Sequence, residues 1–172
     1  MILAIDVKYN EVVGTAKAVG VLCNWEDEEP KEIIIEYIED VKPYVSGQFY
    51  KRELPSILKI VEKIDIREIE VIIIDGHIYV DNDKKFGLGG YVWQALKEKV
   101  PIIGVAKRGF YNNKETVIEI LRGKSKTPLH ISSVGIDNSI ASKKIQSMKG
   151  EYRIPTILKT LDALTKKQNI PC

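Results

Sequence analysis

The sequence predicts one α/β domain over residues 1–172, with a mixed central sheet and helices on both faces. Three apolar, β-branched runs follow one another with short turns near the beginning, which predicts an antiparallel meander. After them, strands alternate with segments of helical period, and strand–helix–strand connections make parallel neighbours. A chain of 172 residues suits one domain with a sizeable core.

The apolar periodicity places the elements along the chain. Strands are expected at residues 2–7, 12–22, 32–38, 71–74, 102–106, 117–121 and 128–134, and helices at 91–99, 138–149 and 156–167. A further helix covers the stripe from Leu54 to Ile64, with Pro55 in its first turn because proline lacks an N–H. The last helix directs four apolar side chains inward, Ile157, Leu158, Leu161 and Leu164, and three lysines outward, Lys159, Lys166 and Lys167.

Composition excludes several classes of protein. Hydrophobic residues make up 44% and charged residues 29%, which is ordinary globular usage. No apolar run approaches the roughly 20 residues of a membrane span, and the N-terminus lacks a signal-peptide pattern, so a cytoplasmic protein is expected. Cys23 and Cys172 have neither metal-ligand spacing nor disulfide density and are expected to be free thiols.

Net charge is only +2, so bulk charge does not indicate a nucleic-acid binder. Residues 24–40 are acidic and residues 107–126 are basic. This asymmetry fits either one cationic face or two ordinary solvated surfaces.

Two carboxylates stand in apolar strands. Asp6 interrupts the first strand, and Asp75 ends the most hydrophobic one. Burying a carboxylate is costly unless something neutralises it, and a hard cation such as Mg²⁺ prefers oxygen ligands. The alternative for Asp75 is a turn residue that accepts hydrogen bonds at Gly76.

Glu53 is a third candidate. It opens the predicted helix on the border of the apolar stripe, so its side chain should lean toward the sheet. Its alternative role is to complement the helix dipole, which typically contributes about 0.3–1 kcal/mol.

The sequence around these carboxylates resembles a known family. Residues 43–55, PYVSGQFYKRELP, are similar to the endonuclease V signature, in which Pro-Tyr-x-x-Gly precedes Arg-Glu-x-Pro at this spacing. Four further segments agree in order: AIDVKY at 4–9, IDGH at 74–77, GVAK at 104–107 and KGEYRIP at 149–155. The resemblance spans nearly the whole chain and implies a ribonuclease H-like fold.

The resemblance also implies an activity and a catalytic site. Asp6, Glu53 and Asp75 fall on the family's catalytic carboxylates, which bind Mg²⁺, with Mn²⁺ as an alternative. Lys107 would contact the phosphate at the scissile bond; without the motif it would be read as a solvated strand-end lysine. Family members hydrolyse a phosphodiester near a deaminated base, chiefly inosine, leaving a 3′-hydroxyl and a 5′-phosphate.

Nucleic-acid-binding residues follow from the same resemblance. Tyr44 matches the family's strand-separating wedge, stiffened by Pro43 and given a tight turn by Gly47; the alternative is a turn with a surface tyrosine. The pocket that reads the base corresponds to four positions: Gly47, Phe49, Gly76 and Gly87.

The sequence departs from the family in two loops. Within residues 75–87, Asp81 stands near the place of a family histidine and Ile78 replaces a second pocket glycine. Residues 135–137 read Gly-Ile-Asp where the family has Gly-His-Arg. Asp81 or Asp137 either donates a metal-binding oxygen in place of a histidine or serves a turn.

The two histidines have different expected roles. His77 follows Asp75 closely and is expected near the site, whereas His130 lies in a strand and is expected to pack there or to lie at an edge.

The leading hypothesis is a monomeric, magnesium-dependent endonuclease that acts on inosine in DNA or RNA during nucleic-acid repair, with no membrane partner. Two alternatives stay open. One is a catalytically weak nucleic-acid-binding module, suggested by the missing histidines and Ile78. The other is a different ribonuclease H-like nuclease that reuses the wedge.

Overall fold

A computed structural model describes residues 1–39, 41, 43, 45–46 and 49–167, with Phe49 described only by its place in a helix. The strands are β1 (Ile2–Asn10), β2 (Thr15–Cys23), β3 (Glu32–Ile38), β4 (Val71–Asp75), β5 (Ile102–Ala106), β6 (Ile118–Ile120) and β7 (Leu129–Val134). The α-helices are α1 (Phe49–Val61), α2 (Leu88–Ala95), α3 (Asn138–Ser147) and α4 (Thr156–Lys166). Short 3-10 turns cover Ile66–Glu68 and Lys114–Thr116.

The strands of the described chain form one mixed sheet in the order β3-β2-β1-β4-β5-β7-β6. The first three strands are antiparallel neighbours, as the meander predicts. β4 pairs in parallel with β1 and with β5, and β7 runs antiparallel to β5 and β6. The predicted mixed sheet is confirmed, and the carboxyl ends of β1, β4 and β5 lie at one edge.

Each face of the sheet has its own hydrophobic core. Ile73 and Ile103 belong to the core under α3 and α4, whereas Ile72 and Ile102 belong to the core under α1 and α2. Adjacent residues of a strand point to opposite faces, so β4 and β5 are buried on both sides. Helices therefore cover both faces, as predicted.

The turn between β1 and β2 differs from the prediction. β1 continues to Asn10 and β2 begins only at Thr15, because the Asn10 side chain accepts a hydrogen bond from the Val12 amide and Gly14 adopts a left-handed φ of 67°. Asn and Gly favour such turns.

The start of α1 was predicted too late. Pro55 lies inside this helix rather than in its first turn. Proline there removes the hydrogen bond that the Lys51 carbonyl would accept. Burial of the Ile57 and Ile60 stripe outweighs this local cost.

Helix α2 also begins earlier than predicted, at Leu88, and ends at Ala95. Gly89 and Gly90 have poor helix propensity, but a Cβ at either position would overlap Ile78 or Phe86. Tertiary packing therefore selects glycine within this helix. The helix ends where Lys97 adopts a positive φ.

Cys23 is a buried free cysteine, as expected, whereas Cys172 lies outside the described residues. Every helix in the described part of the chain is too short or too polar to span a bilayer.

Gly104 is expected to tolerate a side chain poorly. A Cβ there would overlap the carbonyl oxygen of Gly76, which is backbone, whereas a Cβ at Gly20 would meet a methyl group of Ile60, which can shift. Gly104→Ala should lower the free energy of unfolding by about 1–3 kcal/mol, and Gly20→Ala by less. Urea denaturation of both variants tests this, and a larger loss for Gly20→Ala would contradict it.

Candidate metal-binding and catalytic site

The parallel pairing of β1 with β4 brings Asp6 and Asp75 together. Ile5 aligns with Ile74 in this ladder, so the next residue of each strand is one of the two aspartates. Strand alternation turns Ile5 and Ile74 into the core under α1 and α2. The two aspartates consequently face α4, where they line one cavity with Lys107.

Glu53 reaches the same edge of the sheet from α1. The helix is anchored by Ile57, which packs in the core one turn after Glu53. Glu53 and both aspartates line a small cleft together with Leu88. The three carboxylates predicted from sequence are therefore brought together, and Glu53 leans toward the sheet as predicted.

Burial and mutual repulsion raise the pKa of each of these carboxyl groups. Burial and the charge of Asp75 raise the pKa of Asp6 to about 6. Burial and the charges of Asp6 and Asp75 raise the pKa of Glu53 to about 8. Burial also raises the pKa of Asp75, although the positive charge of Lys107 opposes that shift. The negative charge of the site is therefore only partly compensated by nearby positive charge.

Asp162 is a fourth carboxylate of this site, and the sequence analysis missed it. It lies on α4, lines the cavity with Asp6 and Asp75, and its charge raises the pKa of both. It pairs with Lys166 at 2.7 Å and with Lys107 at 3.9 Å. The sequence did contain a signal for Asp162. It follows Leu161 and lies on the border of the apolar stripe of α4, just as Glu53 lies on the border of the stripe of α1.

Thr165 connects Asp6 to α4. Its buried hydroxyl lies 3.2 Å from Asp6 Oδ2 and 2.8 Å from the carbonyl oxygen of Asp162. One hydroxyl proton can serve only one of these acceptors at a time. The other Asp6 oxygen accepts a hydrogen bond from the Val7 amide at 2.9 Å. Asp6 is thus fixed in orientation while its charge is only partly compensated.

Lys107 is at the site, as expected. Its side chain is partly exposed, and its backbone carbonyl accepts a hydrogen bond from Arg153 at 2.5 Å. Arg153 also donates to the Pro128 carbonyl, so it ties the end of β5 to the start of β7. The ammonium group is held beside the carboxylates with room for an anion.

His77 lies next to the site but both of its nitrogens have partners. Nε2 is 2.9 Å from the Arg108 carbonyl, and Nδ1 is 3.1 Å from the Asn113 side-chain nitrogen. Because the amide donates to Nδ1, Nε2 carries the proton and donates to Arg108. Burial lowers the pKa of His77, which favours this neutral form. His130 packs against Glu119 within the sheet, in agreement with one of its expected roles.

The residues expected to bind nucleic acid are only partly described. Tyr44, Gly47 and the Phe49 side chain lie outside the described residues, and Pro43 is exposed. Gly76 adopts a φ of 144° with open space at its Cβ position, which suits close approach of a ligand. At Gly87 a Cβ would crowd the His77 carbonyl, so this glycine also has a packing role.

The candidate substitutes for the family histidines serve turns. Asp81 accepts a hydrogen bond from the Lys85 amide and closes a small hairpin. Asp137 caps α3 by accepting from two backbone amides. Ile78 is fully buried beneath α2 and belongs to the core. Of the two roles considered for Asp81 and Asp137, metal ligand or turn residue, the structure therefore favours the local backbone role for both.

The donor set fits a hard divalent cation. Its oxygens come from four carboxylates on four different elements, and the raised pKa values of Asp6, Glu53 and Asp75 indicate uncompensated negative charge. Within the part of the chain that the structure describes, no three acidic, histidine or cysteine side chains are already grouped in ligating geometry. The carboxylates would therefore have to move closer together to hold an ion, as expected for groups that repel one another in its absence.

The sheet order and the helices on both faces define the class of the protein: it has a ribonuclease H-like fold, with a cluster of carboxylates beside the central parallel strands. Residues 1–163 match the model of the Endonuclease V family. The chain belongs to this family, so it is an endonuclease, a hydrolase of phosphodiester bonds in a family of metal-dependent nucleases.

Individual relatives agree with this assignment. The endonuclease V of Saccharolobus islandicus (strain M.14.25 / Kamchatka #1) is 28% identical over 174 residues, covering 96% of this chain and 81% of the relative. The Ciona intestinalis endonuclease V, solved with a DNA containing an inosine followed by a ribo-adenosine, has a TM-score of 0.77 at 14% identity and coverage of 96% and 83%. The catalytic domain of human endonuclease V has a TM-score of 0.75 at 22% identity and coverage of 96% and 80%. At these identities the two structures show the shared fold.

Glu53 makes the stability of the metal-free protein depend on pH. Its pKa is near 8 in the fold, above the ordinary value of 4.5, so the folded chain holds this proton more tightly than the unfolded chain. The contribution is fully present below pH 4.5 and is lost as the pH rises through 8. In EDTA, Tm should increase by about 2–4 °C as the pH falls from about 8.5 to about 7.

Scanning calorimetry of the wild type and Glu53→Gln checks this expectation. The variant cannot titrate at this position, so its Tm should change less over the same range. Burial lowers the pKa of His77, and the pKa of Asp6 is about 6, so neither group titrates mainly within this range. Identical pH profiles for the two proteins would contradict the assignment.

Proposed function

We propose that this endonuclease hydrolyses a phosphodiester near inosine in DNA or RNA, using Mg²⁺ or Mn²⁺, and that this strand cleavage serves nucleic-acid repair at deaminated bases. The observation that carries the proposal is the convergence of four carboxylates and Lys107 at one edge of the sheet. The inosine assignment is supported by the resemblance of the motifs and by the inosine-containing DNA bound to the Ciona intestinalis relative.

The residues divide into metal-binding and phosphate-binding groups. Asp6, Asp75 and Asp162 share one cavity and would hold the cation, with Glu53 completing its shell from α1. When bound, the cation supplies Lewis-acid polarisation of the phosphoryl group and lowers the pKa of water. All of these side chains come from one chain, so the proposal assigns the activity to a monomer acting as one domain.

Lys107 would contact a non-bridging phosphate oxygen. Its ammonium group is already attracted to Asp162, and a phosphate beside the bound cation would compete for it. Arg153 would keep Lys107 in place through its backbone carbonyl. Gly76, with an open Cβ position next to Asp75, would let the target base approach the backbone, together with Gly47, Phe49 and Gly87; Tyr44 and Pro43 would form the wedge.

Cleavage depends on Asp75 in this proposal. Purified protein with Mg²⁺ should cut inosine-containing DNA or RNA oligonucleotides, and Asp75→Asn should lower the single-turnover rate by about 100-fold or more, because the metal loses a charged ligand. Asp81→Asn is the matched control, since Asp81 only closes a hairpin. Absence of cleavage of every substrate, or equal rates for Asp75→Asn and wild type, would reject the proposal.

Asp162 should affect both metal affinity and rate. Asp162→Asn removes a charged oxygen while keeping the shape of the side chain, so we expect half-saturation to require about 10- to 100-fold more Mg²⁺. Lys166→Gln removes the ion-pair partner of Asp162 and controls for loss of that pair. A magnesium titration of cleavage measures both variants. An unchanged magnesium dependence in Asp162→Asn would exclude it from the metal site.

A further inference from the structure

Two large aromatic side chains are exposed in the segment that follows β5. The ring of Phe110 is 47% exposed and that of Tyr111 is 87% exposed. Exposed apolar surface of this kind in adjacent residues is typical of a binding surface. The catalytic proposal uses neither residue.

The segment is anchored to the active site through His77. The Phe110 ring stacks on the His77 ring with centroids 4.3 Å apart and planes inclined by 30°. His77 is held in turn by Arg108 and Asn113, and Asn113 also donates to the Tyr79 carbonyl at 2.9 Å. One face of the Phe110 side chain therefore packs on His77, while much of the residue is still exposed to solvent.

One cation lies beside the aromatic pair, and two more precede it in the chain. The Lys114 ammonium lies 5.6 Å from the centroid of the Tyr111 ring, and Lys107 and Arg108 precede the pair in the chain. Aromatic rings interleaved with cations suit single-stranded nucleic acid, because bases stack on the rings and phosphates are attracted by the cations.

A cleft of about 480 Å³ opens beside the pair. Its wall includes Glu119 and His130, which lie 3.6 Å apart. The carboxylate of Glu119 disfavours a phosphate in the cleft but can accept a hydrogen bond from an amino group of a base. The chemistry of the cleft therefore fits the base side of a nucleotide.

The aromatic pair is close to the cleavage site. Phe110 follows Lys107 by three residues, which span at most about 10 Å of extended chain. Stacked bases are about 3.4 Å apart, so this distance corresponds to roughly three nucleotides. A strand with its scissile phosphate at Lys107 can reach Phe110 and Tyr111 with a nearby base.

We propose that Phe110 and Tyr111 form a stacking platform for an unpaired nucleotide of the substrate strand within about three nucleotides of the cut. The platform rests on the proposed function, because it needs a nucleic-acid substrate at Lys107. It gives the enzyme a preference for substrates that are unpaired next to the lesion.

Fluorescence anisotropy with a labelled single-stranded DNA oligonucleotide, in EDTA, tests the platform separately from catalysis. Tyr111→Ala should weaken binding by about 5- to 100-fold, the usual contribution of one stacked base, whereas Tyr111→Phe should bind like the wild type. Tyr152→Ala is the matched control, since Tyr152 is 66% exposed and also has a lysine over its ring. Phe110→Ala should weaken binding as well, with its Tm recorded because Phe110 packs on His77.

Cleavage with Mg²⁺ completes the test. Tyr111→Ala should lower cleavage of a single-stranded inosine substrate at subsaturating enzyme more than cleavage of a fully paired one. If Tyr111→Ala matches the wild type in both assays, or if Tyr152→Ala loses as much affinity, the platform is wrong and the proposed function stands. If the wild type neither binds nor cuts any oligonucleotide, both proposals fail. If the protein binds nucleic acid but neither Phe110→Ala nor Tyr111→Ala weakens that binding, the aromatic pair does not contact the strand and the platform is contradicted.

Discussion

The parallel pairing of β1 with β4 is the constraint on which the site depends. It places Asp6 and Asp75 side by side just after the last aligned pair of the β1–β4 ladder, where both lose solvent and repel each other. The folded protein tolerates this because cores on both faces of the sheet hold the two strands in register. Groups that are strained or repel one another at a functional site lower the free energy of unfolding, so the fold persists only when packing elsewhere is extensive. The unfavourable desolvation and repulsion are confined to the carboxylates of the candidate site.

The surrounding elements increase the negative charge at this edge more than they reduce it. α1 adds Glu53 and α4 adds Asp162, whereas Lys107 and Lys166 are partly exposed and are attracted mainly to Asp162. The raised pKa values of Asp6 and Glu53 have this imbalance as their common cause, together with burial. A divalent cation would remove the repulsion and stabilise the charged forms, so metal binding and the ionisation of these carboxyl groups are coupled.

Sequence periodicity predicted the mixed sheet and its two helical layers because apolar β-branched runs and helical stripes report burial directly. Asp6, Asp75 and Glu53 were found because each is a charge in or beside an apolar pattern. Boundaries failed where tertiary contacts override local propensity: Pro55 lies inside α1, and α2 contains glycines that only the packing of Ile78 and Phe86 explains. Asp162 was missed because its border position beside the apolar stripe of α4 is a weak signal without a motif around it, and the packing of α4 on β1 brings it to Asp6.

The two family histidines that are missing from this sequence were a reason to doubt that the chain has enough metal ligands, and Asp162 bears on that doubt. Local substitution by Asp81 or Asp137 was one of two alternatives, but Asp81 closes a hairpin, Asp137 caps α3, and neither lines the cavity of Asp6 and Asp75. A carboxylate that is distant in sequence instead occupies the cavity with Asp6 and Asp75. Carboxylate oxygens are harder ligands than imidazole and favour Mg²⁺, so an all-carboxylate site fits a phosphodiesterase. The catalytically weak binding module was suggested by the missing histidines and by Ile78. With Asp162 as the proposed ligand the missing histidines no longer favour that module, and Ile78 is a core residue.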